Sequence, residues 1–248
     1  MSEPGTTFND RAYNGLKALL APDLRNSQLE YLDELRAASR AATRWLDLGC
    51  GHNVVAEWID LGAARLHPLA GIDLDLAALR MNDHVRWRAL ASGEALPFTD
   101  GAFDLVTANM VLEHVAEPER LFREVERVLV AGGRFLIHTP NLHGYTTAVT
   151  RLLPDALLAP LANLLHRRQS EDVYPTHYKA NSVAALHQLS AQCGFRVADL
   201  RYVQSSPQFV RVLPLLVPEM LLISALRTKV LERRRPCLLA TLVRQADV

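Results

Sequence analysis

A nine-residue stretch decides the fold of this chain: Trp45-Leu46-Asp47-Leu48-Gly49-Cys50-Gly51-His52-Asn53. Its first half is an apolar run typical of a buried strand, and its second half carries two glycines one residue apart before a helical pattern begins. Glycines there let the backbone turn sharply and let a ligand approach main-chain N–H groups, because no Cβ obstructs it. The stretch predicts a strand, a tight turn and a helix around a nucleoside-sized ligand; a tight turn without a ligand is the alternative for the glycine pair taken alone.

From Arg44 onward, short apolar runs alternate with helical stretches, which favours parallel strand pairing with helical crossovers and hence a doubly wound α/β sheet. The segments in chain order are RWLDLGC, NVVAEWIDLG, PLAGIDLD, LAALRMNDH, VRWRALAS, FDLVTANM, PERLFREVERVL and GRFLIHTP. The alternation resumes with the helix NSVAALHQLSAQCG, for which Gly194 is a suitable C-cap, then FRVADLRYV and PCLLATLVRQ.

The remaining segments are read as additions to one domain. Apolar positions at helical spacing over 16–42 predict a leading helix, and we expect 1–43 to act as a helical lid on a domain spanning 44–248. Insertions are expected at about 141–179 and 204–235. Each insertion contains an apolar run followed by basic residues, a pattern that suits a membrane surface or a lipid-linked acceptor. Packing of these runs on each other, or across a homodimer interface, is the alternative.

Composition limits the classes of function. Apolar residues make up 49% of the 248 residues, so intrinsic disorder is excluded as the main state, and 27 basic residues balance 27 acidic ones. With no net charge and 6% aromatic residues, nucleic acid is not an expected partner. Three widely spaced cysteines and no secretory leader indicate a cytoplasmic protein, and the 15-residue apolar run 212–226 is too short to span a bilayer.

Two carboxylates at predicted strand ends indicate which ligand is bound. Asp47 would repel a pyrophosphate but attract an ammonium group, such as that on the methionine arm of S-adenosylmethionine. The third glycine of a dinucleotide fingerprint is missing, because that position is Val54. Asp73 lies where a carboxylate accepts hydrogen bonds from ribose hydroxyls, and Asp75 suits a helix N-cap.

Four motifs in order, LDLGCG, GIDLD, ASGEALPFTDGAFDLVTANMVLEHV and PERLFREVERVLVAGGRFLIHTPN, resemble the class I S-adenosylmethionine-dependent methyltransferases over about 44–141. The resemblance implies a Rossmann-like, mostly parallel, seven-stranded sheet with helical insertions after strands 5 and 6. It also implies S-adenosyl-L-methionine as the cofactor.

The resemblance further implies cofactor contacts at positions matching the family motifs. Asp47, Gly49 and Gly51, with Cys50 between them as a turn residue, would enclose the methionine end. The ribose would meet Asp73, the adenine face Leu74 and the adenine edge Ser92 and Gly93, while Asn109 would pass beside the sulfonium. The chain departs from the family at Asn53, where a third glycine is usual, and at Ser92, where an acid is usual and whose role Glu94 could take.

Methyl transfer is an in-line displacement that depends mainly on alignment, and a base helps only where the acceptor loses a proton. Histidines at predicted strand ends are the candidate bases, namely His138, His143 and His114, with His177 and Tyr178 in the first insertion. Each is also explained by a structural hydrogen bond, and no third ligand supports a metal site at His138 and His143.

We therefore expect O- or C-methylation of a small-molecule or lipid- or glycan-linked acceptor. Peripheral membrane contact and a homodimer are expected associations. Two alternatives are a non-catalytic member of the fold that binds cofactor or a partner, and a nicotinamide oxidoreductase.

Overall fold

The structure is a computed structural model that describes residues 8–51, 70–83, 85–152, 175–210 and 212–246. Elements are numbered here in the order of these residues. The helices are α1 Phe8–Leu20, α2 Ser27–Ser39, α3 Leu76–Met81, α4 Pro118–Val128, α5 Tyr145–Leu152, α6 Val183–Gln192 and α7 Leu213–Ala225. The strands are β1 Trp45–Leu48, β2 Ala70–Asp73, β3 Trp87–Leu90, β4 Phe103–Asn109, β5 Leu129–Pro140, β6 Phe195–Val203 and β7 Cys237–Arg244.

The seven strands form one sheet in the order β3-β2-β1-β4-β5-β7-β6. Strands β1 to β5 pair in parallel, and the sheet as a whole is mixed. The prediction of a doubly wound, mostly parallel sheet is therefore confirmed. Strand order reverses between β1 and β4, and such a switch point is where open α/β sheets bind ligands, beyond the carboxyl ends of the strands.

The sheet core follows from strands whose residues are mostly apolar and buried. All four residues of β1 are buried, as expected for a strand covered on both faces. Helix α4 begins at Pro118, a favourable first helical position, and buries Leu121, Phe122, Val125 and Val128. The Phe122 ring meets Phe135 of β5 and Phe195 of β6 edge-on, at centroid distances of 5.6 and 6.1 Å. This packing holds β5 in place and so fixes its carboxyl end.

Contacts between Cα atoms divide the described chain into two units. One comprises the described residues within 28–142, 175–201 and 238–248, and holds most of the sheet. The other comprises those within 1–27, 143–174 and 202–237. In this second unit α1 packs on α7 around Ala21, Leu216, Met220 and Ile223, all buried.

The structure corrects the leading helix expected over 16–42. Two helices replace it, because α1 ends at Leu20 and α2 begins at Ser27. Pro22 lies in the break, and proline cannot donate the backbone hydrogen bond that an uninterrupted helix requires at that position. By contrast, the predicted C-cap is confirmed, since α6 ends at Gln192 and Gly194 has a φ of +73°.

Candidate functional site

The turn after β1 is built as its glycines require. Gly49 and Gly51 have φ angles of +61° and +49°, in the left-handed region that favours glycine. A Cβ on Gly49 would lie 2.6 Å from Val111 Cγ2, whereas a Cβ on Gly51 would meet nothing within 4 Å among the described residues. Gly49 is thus required by packing, and none of the described residues fills the space beside Gly51.

Asp73 connects this turn to β2. Its Oδ2 accepts the backbone N–H of Gly51 at 2.8 Å, and its Oδ1 accepts that of Asp75 at 2.9 Å. Asp75 in turn accepts the N–H groups of Ala77 and Ala78, so its predicted role as the N-cap of α3 is confirmed. Each Asp73 oxygen has a further lone pair, so the carboxylate can orient the turn and also accept from a diol.

Asn82 also holds the turn, and the sequence motifs gave no sign of it. This fully buried side chain donates from Nδ2 to the carbonyl oxygens of Gly51 at 2.9 Å and Cys50 at 3.3 Å. Its Oδ1 accepts the N–H of Val85 at 3.2 Å. A lone asparagine after a short helix is an ordinary turn residue by sequence, and only the tertiary contact reveals its function.

Asp47 is a buried carboxylate with one strong internal partner. Thr107 Oγ1 accepts from Trp45 Nε1 at 2.7 Å, so the single hydroxyl hydrogen is left to donate to Asp47 Oδ1 at 2.6 Å. Burial raises the pKa of Asp47 to about 7; the Thr107 hydrogen bond opposes the rise and the charge of Asp73 adds to it. A carboxylate with a raised pKa gains free energy when a cation is placed beside it.

Cys50 lies between the two glycines and is buried. Burial, followed by the charge of Asp47, raises the pKa of its thiol to about 12. The thiol therefore remains protonated and unreactive at neutral pH, as expected for a turn residue.

The residues predicted to meet the adenosine lie beyond β2 and β3. Leu74 is 67% exposed, which is unusual for a leucine next to a strand end. Ser92 is half-buried, and its Oγ accepts the N–H of Glu94 at 3.1 Å, which leaves the hydroxyl hydrogen and one lone pair for a ligand. Gly93 admits no side chain, because a Cβ there would lie 2.9 Å from Leu121 Cδ1. Glu94 Oε1 accepts the N–H of Glu117 at 2.8 Å and so holds the start of α4.

The carboxyl ends of β4 and β5 meet at Asn109 and His138, which are partners in register. His138 Nδ1 lies 2.7 Å from Asn109 Oδ1. Met110, which follows Asn109, has a φ of +56° and donates its N–H to the His138 carbonyl at 2.7 Å. A non-glycine residue in the left-handed region stores strain and is typical of functional sites.

The other histidines have different surroundings. His114 Nδ1 lies 2.9 Å from the carbonyl of Pro175, and the N–H groups of His177 and Tyr178 donate to the carbonyl of Glu113. His143 belongs to the unit that contains α1 and α7, and its carbonyl accepts from Arg234. His52 and Asn53 lie outside the described residues, as does most of the apolar run expected in the first insertion.

Three buried polar side chains near the carboxyl end of β5 are linked by hydrogen bonds. Asn181 Nδ2 donates to Thr139 Oγ1 at 2.6 Å, and Thr139 donates to Glu113 Oε2 at 3.1 Å. All three side chains are buried. These hydrogen bonds join the end of β5 to the segment leading into α6 and so give this edge of the sheet a fixed shape.

Comparisons with known proteins agree with this geometry. Residues 46–137 match a family model described as a methyltransferase domain. The ubiquinone biosynthesis O-methyltransferase of Chromobacterium violaceum is 33% identical over 122 residues, which cover 46% of this chain and 50% of the relative. The chain thus matches about half the length of such curated relatives.

Solved structures share the fold at low identity. An S-adenosylmethionine-dependent methyltransferase from Mesorhizobium loti superposes with a TM-score of 0.54 at 18% identity, covering 88% of this chain and 98% of that one. The geranyl diphosphate C-methyltransferase of Streptomyces coelicolor A3(2) gives 0.54 at 16% identity, covering 88% and 79%. These structures therefore share the fold of this chain, and residues 46–137 match a methyltransferase domain.

Proposed function

We propose that the chain, whose residues 46–137 match a methyltransferase domain, is a class I S-adenosylmethionine-dependent methyltransferase that transfers a methyl group from S-adenosyl-L-methionine to a small-molecule acceptor. The observation that carries the proposal is the pair of carboxylates at the ends of β1 and β2, one buried with a raised pKa and one tied to the glycine turn. When bound, the cofactor supplies an electrophilic methyl group and leaves as a neutral thioether.

In this proposal each end of the cofactor meets a different part of the turn. Asp47 receives the α-ammonium group, because a cation offsets the cost of ionising a buried carboxylate. Asp73 receives the ribose diol on the lone pairs that its backbone hydrogen bonds leave free. The open face at Gly51 gives room for the chain between these two groups, with Gly49 and Cys50 completing the turn.

The adenine and sulfonium ends rest on less polar groups. The exposed Leu74 side chain covers one adenine face, and Ser92 and Gly93 meet its edge. Asn109 lies beside the methyl group to be transferred, at the end of β4. These residues bind and orient, which is most of what an in-line displacement needs from a protein.

Isothermal titration with S-adenosylhomocysteine and with a reduced nicotinamide dinucleotide tests the cofactor. We expect binding of the first and none of the second; the reverse result would support the oxidoreductase. Transfer of isotope-labelled methyl from S-adenosylmethionine to a panel of hydroxylated and carbon-acid acceptors tests turnover. Cofactor binding without transfer to any of them would support a non-catalytic role.

We also propose that the unit containing α1 and α7 contacts an anionic membrane and so reaches a lipid-linked acceptor. Helix α7 is apolar around its circumference, yet Leu221 is 54% exposed, and Val230 beyond it is 84% exposed. Lys229, also exposed, precedes Val230 and Leu231, two apolar residues that could enter the headgroup region. Among the described residues, no helix has the length and apolar character needed to cross a bilayer.

Two basic residues of this region form structural contacts, so they are unsuitable for substitution in the membrane-binding test. Arg227 pairs with Asp23, and Arg235 donates to the carbonyls of Leu226 and Tyr202. Co-sedimentation with vesicles of anionic or zwitterionic lipid should therefore depend on Leu221→Asp and Lys229→Gln, with Arg86→Gln as a control in the sheet unit. Equal pelleting with both lipids would contradict membrane binding, and a dimer abolished by Leu221→Asp in sedimentation velocity would assign this face to a second copy.

A further inference from the structure

A tyrosine and a histidine stack beside the candidate cofactor site. Tyr31 of α2 and His138 of β5 have ring centroids 5.5 Å apart and planes inclined by 21°. Both side chains are fully buried. Sequence patterns gave Tyr31 only a place on a leading helix, so this contact is a product of the tertiary fold.

Each ring of the stack carries a buried polar atom with no hydrogen-bond partner among the described residues, Tyr31 Oη and His138 Nε2. Proteins seldom leave such atoms unpaired, because burial removes their water without replacing it. His138 lies near the carboxyl end of β5, at the edge of the sheet where this fold binds ligands, and Tyr31 stacks on it. Two unpaired polar atoms on stacked rings at that edge therefore mark a place for a polar ligand group.

Neighbouring groups determine the chemical character of the two atoms. Because the Asn109 carbonyl oxygen can only accept, His138 Nδ1 carries the hydrogen and Nε2 has a bare lone pair. Burial lowers the pKa of His138 to about 4, so the ring is neutral at physiological pH. Burial and then the charge of Asp47 raise the pKa of Tyr31 well above its usual value, and the Thr107 hydroxyl, which is near Tyr31 but outside hydrogen-bonding geometry, opposes the rise. The stack thus offers one donor and one acceptor.

We propose that Tyr31 and His138 bind the hydroxyl group that is methylated, with Tyr31 donating to its oxygen and His138 Nε2 accepting its hydrogen. The inference rests on the proposed methyltransferase function and narrows the acceptor to a molecule with a hydroxyl group, which has both a lone pair for Tyr31 and a hydrogen for His138 Nε2. A carbon acid offers no lone pair to Tyr31. A protonated amine has no lone pair for Tyr31 either.

The bonds, the electron pair and the proton of the transfer are all accounted for when Tyr31 and His138 bind the acceptor. The bond between the acceptor oxygen and the methyl carbon forms while the bond from that carbon to sulfur breaks, and sulfur keeps the electron pair. The hydroxyl becomes strongly acidic as its oxygen is alkylated, so its proton moves late to His138 Nε2. A weakly basic imidazole suffices for this late transfer, and the proton passes to water when the site opens.

Nitrogen NMR of the holo protein, saturated with S-adenosylhomocysteine, tests the pairing directly. We expect His138 to show hydrogen on Nδ1 and a bare Nε2, and the Nε2 signal to shift on addition of 1,2-dihydroxybenzene but not of 1,2-diaminobenzene. Hydrogen on Nε2 in the free protein, or no shift with the diol, would overturn the inference. Absence of S-adenosylhomocysteine binding would instead refute the proposed function.

Matched variants provide the second test. Tyr31→Phe retains the stacked ring and removes the hydroxyl, and His138→Gln removes the imidazole; His187→Gln and Tyr202→Phe are controls away from the stack. We expect methyl transfer to 1,2-dihydroxybenzene to fall at least tenfold in the first two and less than twofold in the controls. The affinity for S-adenosylhomocysteine should change less than twofold in all four. A Tyr31→Phe protein with unchanged transfer, whatever its stability, would overturn the inference.

Discussion

At Asp47, the burial that prepares a carboxylate for a cation also costs the unliganded protein stability. Its pKa in the folded protein, about 7, lies above that of an unfolded aspartate, so folding takes up a proton between about pH 4 and pH 7. The contribution to stability is therefore lost as pH rises through this range. A displacement of this size corresponds to at most on the order of 4 kcal/mol.

Asp47→Asn tests this cost. The variant should be more stable than the unmodified protein at pH 8 and lose that advantage at pH 4.5, because the amide needs no proton in order to be buried. Urea unfolding of both proteins at several pH values gives the difference between their unfolding free energies. The contributions of the other titrating groups cancel in this difference. Parallel stability curves would show that Asp47 ionises in the fold as easily as in water.

Cofactor binding should show the opposite dependence on pH. A bound ammonium group favours the ionised carboxylate, so affinity for S-adenosylhomocysteine should rise between pH 6 and pH 7.5, by up to about tenfold per pH unit below the pKa. Calorimetry in two buffers of different ionisation enthalpy should detect a released proton at pH 6.5. In Asp47→Asn both the proton release and the slope should disappear; their persistence would place the titrating group elsewhere.

A substitution at Gly51 tests whether the cofactor occupies the space beside this residue. Gly51→Ala should lower cofactor affinity at least tenfold, because the new Cβ occupies space that the ligand needs, while the strained φ costs roughly 1–2 kcal/mol of stability. Gly132→Ala is a matched control, since its φ is +76°, a Cβ there also meets nothing within 4 Å, and it lies towards the other end of β5. Equal affinities in the two variants would mean that strain, not occupancy, explains any loss.

At the scale of elements, the β1 turn depends on a residue that follows α3. Asn82→Ala removes two donations to the Gly51 and Cys50 carbonyls and the acceptor for Val85, and should cost about 2–3 kcal/mol of unfolding free energy and weaken cofactor binding. Asn82→Asp keeps the acceptor and loses the donor. If the Asn82→Asp variant bound the cofactor as tightly as the unmodified protein, the hydrogen bonds donated by Asn82 would not be what shapes the turn.

Helices and strands could be predicted from the sequence where the spacing of apolar residues differs clearly between the two. Strands β1, β2 and β4 are continuous apolar runs with acids or amides at their ends, and these residues now line the candidate site. The break between α1 and α2 was missed because apolar spacing continues across it. Helix α7 continues through Pro218, its sixth residue, although a proline there removes one backbone hydrogen bond of the helix.

At the scale of the whole molecule, the class of sheet follows from the sequence, because strands that alternate with helical crossovers leave few topologies. What could not be predicted are the contacts between distant segments: Trp45 with Thr107, Asn82 with the glycine turn and Tyr31 with His138. Each joins residues whose local patterns are ordinary. Sequence therefore predicts a candidate site, whereas tertiary packing determines the charge and the tautomer of its groups.

The central claim is that Asp47 binds an ammonium group and Asp73 a diol. Calorimetric titration of Asp47→Asn and Asp73→Asn with S-adenosylhomocysteine and with methylthioadenosine, which keeps the nucleoside and lacks the amino-acid arm, tests it most directly. Asp47→Asn should weaken S-adenosylhomocysteine binding about 10- to 100-fold and leave methylthioadenosine within twofold, whereas Asp73→Asn should weaken both. Equal losses for the two ligands in Asp47→Asn, or none in either variant, would contradict the account.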